Sequence, residues 1–210
     1  MKKNKFIILE GRAHGSYSYP DLLVSMGKYL FNKNSYEQYE ALHKKNSFML
    51  HPRMFVDFLS LISSGKSYNG NGKKVSSEKL NFVLGEIINA RDPWRTENLD
   101  AYFEVKNRAM NIMYYKLNAD GKFEKVIEPL QDCLMEDKCI NLQDYIKNAN
   151  EQGFPNKNIK EGDLFYGRPR LDCVAWFIAN CGRADLYCIR NPSGSNSSLG
   201  VRFAKIFQRK

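Results

Sequence analysis

The sequence predicts an α+β domain. A strand-like apolar run opens the chain, helical apolar spacing fills the part up to Pro93, and strand patterns dominate from Tyr102 onwards. A chain of 210 residues is long enough for one well-buried core and short for two, and no linker or repeat divides it. We therefore expect a single domain over residues 1–210.

The first half is expected to hold one strand and four helices. Residues 5–12 contain consecutive apolar side chains, which is typical of a strand buried on both faces. Apolar residues then recur at three- and four-residue spacing behind residues that commonly begin helices. The helices are expected from Pro20 to Leu30, from Ser35 to His43, from Pro52 to Ile62 and from Ser76 or Ser77 to Ile88. In the second helix, Tyr36, Tyr39 and Leu42 mark the expected inner face.

The second half is expected to consist mainly of strands. Residues 109–117 and 122–127 flank residues 118–121, a polar connection typical of a hairpin. One further helix is predicted over residues 142–149. The strand-rich segment that follows, residues 162–204, is the most unusual part of the chain.

Residues 162–204 differ in composition from the rest of the protein. The chain has 45 Lys, Glu, Gln and Met residues, yet none falls in this window, where an even spread would place about nine. Five of the 11 Arg and three of the five Cys lie inside it. The distribution therefore indicates that some process has restricted which residue types occur in the window.

The window also alternates with a period of two, which predicts two strands. The small or apolar face of each strand is expected to be buried scaffold: Ala175, Phe177, Ala179, Ala184, Leu186 and Cys188. The opposite face mixes Trp, Ile, Asp and Tyr with nearby Arg, a composition typical of recognition surfaces. The alternative interpretation is that these strands are buried on both faces. Trp176 is correspondingly either a core aromatic or an exposed contact in a binding site.

The net charge, the N-terminal segment and the spacing of cysteines and histidines narrow the partners, location and cofactors that we expect. The net charge of +9 would suit an anionic partner, although the Lys residues are dispersed. The apolar run near the N-terminus is too short for a signal peptide or a membrane span, so we expect cytoplasmic synthesis and no membrane insertion; display on a cell surface or virion stays open. Five cysteines without a C-x-x-C pair predict reduced thiols. The three histidines lack metal-ligand spacing, so no metal and no cofactor are expected.

A basic nucleic-acid-binding protein is one alternative function. It would use Arg168, Arg170 and Arg183, with Tyr187 and Trp176 as stacking partners for bases. Its affinity for nucleic acid would fall steeply with salt.

A cysteine-dependent hydrolase is a second alternative. It would require Cys173 or Cys181 to meet His14 or His51 in the folded chain, because a nucleophile and its base need only be close in space. No local signature supports such a pair, and we expect no enzymatic activity.

Four segments carry longer motifs. They are E-G-R-A-H-G-S-Y-S-Y-P-D-L-L at residues 10–23, V-A-x-F-x-A at 174–179, A-x-L-x-C-x-R at 184–190 and P-S-x-S-N-S-S-L-G-V-R at 192–202. With these the chain resembles the variable proteins of diversity-generating retroelements, most closely the archaeal, Nanoarchaeota-type ones. The resemblance covers nearly the whole chain and is most specific at its C-terminal end.

In that family an error-prone reverse transcriptase randomises adenines of a template. Asn codons can then yield many residues, but never Lys, Glu, Gln, Met or Trp. The resemblance thus accounts for the missing residue types, with Trp176 as the exception.

The resemblance implies a C-type lectin-like fold in which residues 5–12 pair with residues 199–207 and a small antiparallel sheet displays hypervariable residues. The calcium- and sugar-binding triplets E-P-N and Q-P-D are absent, as is the R-G-G-S-W motif of formylglycine-generating enzymes. A non-enzymatic, receptor-like protein for an unknown protein or cell-surface ligand is implied, with residues 162–204 as its variable region and 192–198 as a constant loop. The expected ligand-binding residues are Arg168, Arg170, Leu171, Asp172, Cys173, Trp176, Ile178, Cys181, Gly182, Arg183, Asp185, Tyr187 and Ile189.

Overall fold

The computed structural model describes residues 2–117 and 122–208, and within them the chain has an α+β architecture with four helices and three sheets. The helices are α1 (Ser35–His43), α2 (Pro52–Ser63), α3 (Ser77–Ile88) and α4 (Leu142–Asn148). The strands are β1 (Phe6–Leu9), β2 (Arg12–His14), β3 (Tyr17–Tyr19), β4 (Leu22–Ser25), β5 (Phe48–Met49), β6 (Arg95–Lys106), β7 (Ala109–Leu117), β8 (Phe123–Pro129), β9 (Lys138–Ile140), β10 (Leu164–Gly167), β11 (Cys173–Ala179), β12 (Ala184–Arg190), β13 (Leu199–Gly200) and β14 (Phe203–Ile206).

The largest sheet carries the window that stands out in the sequence. Its strands follow the order β8-β7-β6-β11-β12-β10-β9, and β13 pairs with β6. Neighbours on this path are antiparallel except β10 and β12, which are parallel. One face packs against α2, α3 and α4 and builds the main core, in which the rings of Phe55 and Phe177 lie 5.3 Å apart. This face is termed the inner face, and the opposite one the outer face.

The second sheet corrects two predictions. Its order is β1-β4-β14-β5, so β4 separates the first strand from the C-terminal strand, and the expected direct pairing of residues 5–12 with 199–207 is wrong. The helix expected from Pro20 to Leu30 is also wrong, because β4 occupies its centre. All four β4 residues are buried, because the strand is paired at both edges and its side chains pack on both faces, with Leu22 and Val24 in the main core and Leu23 in a second apolar cluster. A short apolar run of this kind satisfies helical spacing without forming a helix.

The other four helices form where the sequence predicts them, each with a side-chain cap. The capping residues are Asn34, His51, Ser76 and Asn141. Asn34 precedes the expected cap Ser35 and forms a reciprocal capping box with Glu37, which satisfies two backbone amides at the start of α1. Tyr36 is exposed and does not belong to the inner face of α1.

The strands of the second half differ from the predictions mainly at their ends. β6 begins at Arg95, well before Tyr102, β7 has the predicted bounds, and β8 continues to Pro129. The predicted polar connection at residues 118–121 lies outside the described residues.

Arg202 joins the two main sheets. Its guanidinium donates to both carboxylate oxygens of Glu97 on β6, at 3.0 and 2.9 Å. The same group donates to the carbonyl oxygen of Ser25 at 2.7 Å and to that of Met26, at the end of β4. Arg202 and Glu97 are both buried, so the ion pair lies in the interior.

Helix α1 covers the outer face of β6. The Asn98 amide donates to the side chains of Ser35 (3.2 Å) and Gln38 (2.7 Å). Asp100 accepts from the Tyr39 hydroxyl at 2.5 Å and from the Tyr115 amide at 3.0 Å. Because α1 occupies this part of the face, the accessible side chains of the neighbouring strands β11, β12 and β10 lie beside it.

Asp100 is expected to make stability depend on pH. Burial raises the pKa of its carboxyl from 3.8 to about 7, although the hydrogen bonds from Tyr39 and Tyr115 lower it in part. Between these values the folded protein keeps a proton that the unfolded chain has lost, so the contribution is full below the unfolded pKa and is lost as the pH rises to about 7. The free energy of unfolding should fall by up to about 4 kcal/mol from this group between about pH 4 and pH 8.

Urea denaturation of the wild type and of Asp100→Asn across this pH range isolates the effect of Asp100. Groups that titrate in both proteins cancel when the two free energies of unfolding are subtracted. One of these is His51, whose pKa burial lowers to about 3 and whose contribution has the opposite sign, since it increases as the pH rises to 6.5. A constant difference between the two proteins at all pH values would contradict the assignment to Asp100.

Candidate ligand-binding surface

The inner and outer faces of β11 and β12 differ in burial. The six expected scaffold residues are all buried on the inner face: Ala175, Phe177, Ala179, Ala184, Leu186 and Cys188. Trp176 and Tyr187 lie opposite each other in the register and on the outer face, and both are half-buried. Trp176 is therefore neither a core residue nor a freely exposed one.

Three rings form a continuous aromatic platform on the outer face. Phe165 on β10 lies 5.3 Å from Tyr187 on β12, and Tyr187 lies 6.1 Å from Trp176 on β11, measured between ring centroids. Trp94 lies in the loop before β6 and packs edge-on against Trp176, with 6.4 Å between the ring centroids. These separations are those of favourable aromatic pairs, so the three platform residues Phe165, Tyr187 and Trp176 support one another.

An arginine lies at each end of the aromatic platform. The guanidinium carbon of Arg183 is 4.5 Å from the Phe165 centroid, and that of Arg190 is 4.9 Å from the Trp176 ring. Both distances are within the range of cation–π attraction.

Arg190 reaches the platform because β12 bulges. Val174 pairs with Arg190 and Trp176 pairs with Tyr187, so two residues of β12 face one of β11 between these pairs. An extra residue reverses the alternation beyond it, which aims Arg190 at the outer face although Leu186 and Cys188 point inward. Simple alternation along the sequence would have placed Arg190 on the scaffold side.

Two of the arginines on this surface are already paired with carboxylates. Arg183 Nε donates to Asp185 Oδ1 at 2.9 Å, and Asn180 donates to the other oxygen of the same carboxylate. Arg170 Nη2 donates to Asp137 Oδ2 at 2.7 Å. Asp137 also accepts from the Arg168 amide at 2.9 Å, which fixes the turn after β10.

Glycine at position 167 makes room for the platform. A Cβ there would lie 2.6 Å from Cδ1 of Tyr187, so any side chain would push the tyrosine ring out of place. At Gly182, in the turn between β11 and β12, a Cβ would make an ordinary contact, 3.7 Å from Asn180 Oδ1, so a side chain fits there. The two glycines thus differ in what they tolerate.

Most of the expected ligand-binding residues are accessible. Seven are exposed: Arg168, Arg170, Leu171, Asp172, Cys181, Gly182 and Arg183. Four are half-buried: Cys173, Trp176, Tyr187 and Ile189. The expectation is wrong for Ile178 and Asp185, which are buried. Ile178 lies in the register between Asp185 and Thr96, which are themselves buried, and Asp185 is covered by its partners Arg183 and Asn180.

The sequence-based set missed several residues that build the surface. They are Trp94, Tyr102, Asp137, Phe165, Gly167 and Arg190. Phe165 is half-buried between the buried Leu164 and Tyr166, but a strand of four residues is too short for this alternation to be recognised from the sequence. Tyr102 donates to Asp172 at 2.8 Å from a distant part of the chain, and no local pattern announces that contact.

The cysteine–histidine pair considered above does not form in the part of the chain that the structure describes. His14 hydrogen-bonds Asp57 at 2.7 Å, and His51 accepts from the Arg53 amide. Burial raises the pKa of the Cys173 thiol, which disfavours the nucleophilic thiolate. Among residues 2–117 and 122–208 no group of three or more His, Cys, Asp or Glu side chains is placed to hold a metal ion.

No protein-family model matches the chain, and neither a curated protein nor a solved structure shows significant similarity to it. In the described ranges, no helix combines the length and the apolar character needed to cross a bilayer.

Proposed function

We propose that the protein is a non-enzymatic, receptor-like binding protein with a C-type lectin-like fold. Its ligand surface is the outer face of β10, β11 and β12, within residues 162–204, and this surface is diversified by a retroelement. The ligand is a protein or another component of a cell surface.

The observation that carries the proposal is the division of β11 and β12 into two faces. Six scaffold residues are buried, while the aromatic platform and its two arginines are accessible on the other side. A backbone whose stability depends on one face tolerates many side chains on the other, as antibody loops on a rigid sandwich do. Rigid Tyr and Trp side chains also give contact area at low entropic cost.

The filtered composition supports diversification in particular. The window lacks Lys, Glu, Gln and Met, four residue types that adenine randomisation of an Asn codon does not produce. Trp176 then comes from another template codon, and its contacts with Trp94 and Arg190 suit a fixed contact residue.

Paired libraries test whether the outer face is a tolerant binding surface. In the first, Arg168, Leu171, Gly182, Tyr187 and Ile189 vary together over the residues reachable from an Asn codon. In the second, five scaffold positions vary over the same set: Ala175, Phe177, Ala179, Leu186 and Cys188. After display on yeast, we expect most clones of the first library to fold and the second library to lose folded protein, because only the second perturbs the core.

Selection of the first library against several unrelated purified proteins should then give a different binder for each. Equal loss of folded clones from both libraries, or binding that depends on neither set, would contradict a display surface. Sequencing the genomic locus tests the retroelement separately: a reverse-transcriptase gene and a near-copy of the window differing only at adenines are expected, and their absence would remove that part of the proposal.

A further inference from the structure

Arg190 differs from the other platform arginine in its partners. Arg183 is neutralised by Asp185, at 2.9 Å, as well as stacked on Phe165. Arg190 is stacked on Trp176 and donates one hydrogen bond to the carbonyl oxygen of Gly194. No carboxylate in the described part of the chain pairs with it, and its buried Nε has no hydrogen-bond partner.

A half-buried guanidinium without a counter-charge is an unfavourable arrangement in the free protein. Burial lowers the pKa of Arg190, and no neighbouring charge raises it again. Beside it, the indole Nε1 of Trp176 also lacks an acceptor. Because both of these nitrogens are buried, a ligand would reach the guanidinium through its accessible part, where an anionic group would supply the missing charge.

We propose that the aromatic platform binds an acidic segment of a protein ligand, with a ligand carboxylate on Arg190 and a neighbouring apolar side chain on Trp176 and Tyr187. This inference rests on the proposed function, since it assigns the ligand chemistry of the same surface. Arg190 is then a specificity-determining residue, selecting Asp or Glu at one position of the ligand.

The surrounding charges favour a protein carboxylate over nucleic acid. A single strand needs several cations along its phosphates as well as aromatic side chains for its bases. Here Arg183 and Arg170 are already paired with Asp185 and Asp137, so their charges are neutralised before any phosphate binds. One unpaired guanidinium beside the rings matches a single carboxylate better than a phosphate chain.

A random peptide library displayed on phage, panned on the full chain, provides the probe. Peptides are kept when their binding is lost in Trp176→Ala, which selects those on the aromatic platform. We expect these peptides to share an Asp or Glu next to an apolar residue. Synthetic copies should bind Arg190→Gln at least about tenfold more weakly than wild type, because a charge-assisted hydrogen bond is lost.

The controls separate this contact from general charge and from folding. Arg108→Gln removes the same charge at an exposed turn away from the platform and should change affinity less than about twofold. Arg190→Lys should retain part of the affinity. Replacing the peptide's Asp or Glu by Asn or Gln should weaken binding to the wild type but not to Arg190→Gln. An unchanged melting temperature of Arg190→Gln is the folding control for this comparison.

Each remaining outcome overturns one of the two proposals. Peptides that depend on Trp176 but carry no acidic residue, or bind Arg190→Gln as well as wild type, overturn the carboxylate assignment alone. A library without any Trp176-dependent peptide contradicts the binding surface itself. An oligothymidylate that binds in a salt-sensitive way and is lost in Arg190→Gln would replace the acidic protein segment by nucleic acid.

Discussion

Replacing Arg202 by methionine is expected to lower the free energy of unfolding by about 3–5 kcal/mol. The arginine is only 1% exposed, and its removal leaves the buried Glu97 carboxylate without its bidentate partner. Lys28 lies 3.8 Å from Glu97 and offsets a small part of the loss. The carbonyl oxygens of Ser25 and Met26 lose a donor as well, so the contact between the two sheets weakens.

Urea denaturation monitored by circular dichroism measures this change. The matched control is Arg91→Met, because Arg91 pairs with Glu86 at 2.7 Å but its side chain is 30% exposed. Solvent screens that pair, so its loss should cost less than about 1 kcal/mol. Similar costs for the two substitutions would mean that the Arg202–Glu97 pair is not buried in solution.

Leu186→Ala is expected to cost about 2–5 kcal/mol, whereas Leu171→Ala should cost less than about 0.5 kcal/mol. Both leucines belong to residues 162–204, but Leu186 is fully buried on the inner face and Leu171 is 51% exposed. The first substitution opens a cavity in the core, and the second removes a side chain from water. Equilibrium unfolding of the two variants compares scaffold and display positions with the residue type held constant.

The opposite ranking, or equal costs, would contradict the division of the window into two faces. The pair also complements the library experiment, because it gives free energies for single positions where the libraries give only the fraction of folded clones.

Local signals were sufficient to predict most helices and the two strands of the window. α2 begins at Pro52 and α3 follows Ser76, where a fixed φ or a side-chain cap favours helix initiation. The inner face of β11 was predictable because the small and apolar residues that alternate along it are all buried, whereas on the outer face Trp176 is half-buried and Ile178 is buried. Such signals depend only on residues a few positions apart.

The sequence-based predictions are wrong where residues distant in the sequence determine the local structure. Residues 22–25 form a strand because β1 and β14 pair with it on both sides, and neither partner is visible in the local pattern. Arg190 belongs to the surface because of one extra residue in β12, which shifts the register against β11. Asp185 is buried because Asn180 and Arg183 fold over it. Strand order, bulges and side-chain pairing of this kind come from tertiary structure.

The contact between Gly167 and Tyr187 limits how variation at the surface can combine. An aromatic ring at position 187 fits only while position 167 lacks a side chain, since a Cβ would lie 2.6 Å from the ring. Related copies of the window should therefore show covariation, with larger residues at 167 accompanied by small ones at 187. The repertoire of functional surfaces is then smaller than the product of its variable positions, and coupled substitutions rather than single ones separate one functional surface from the next.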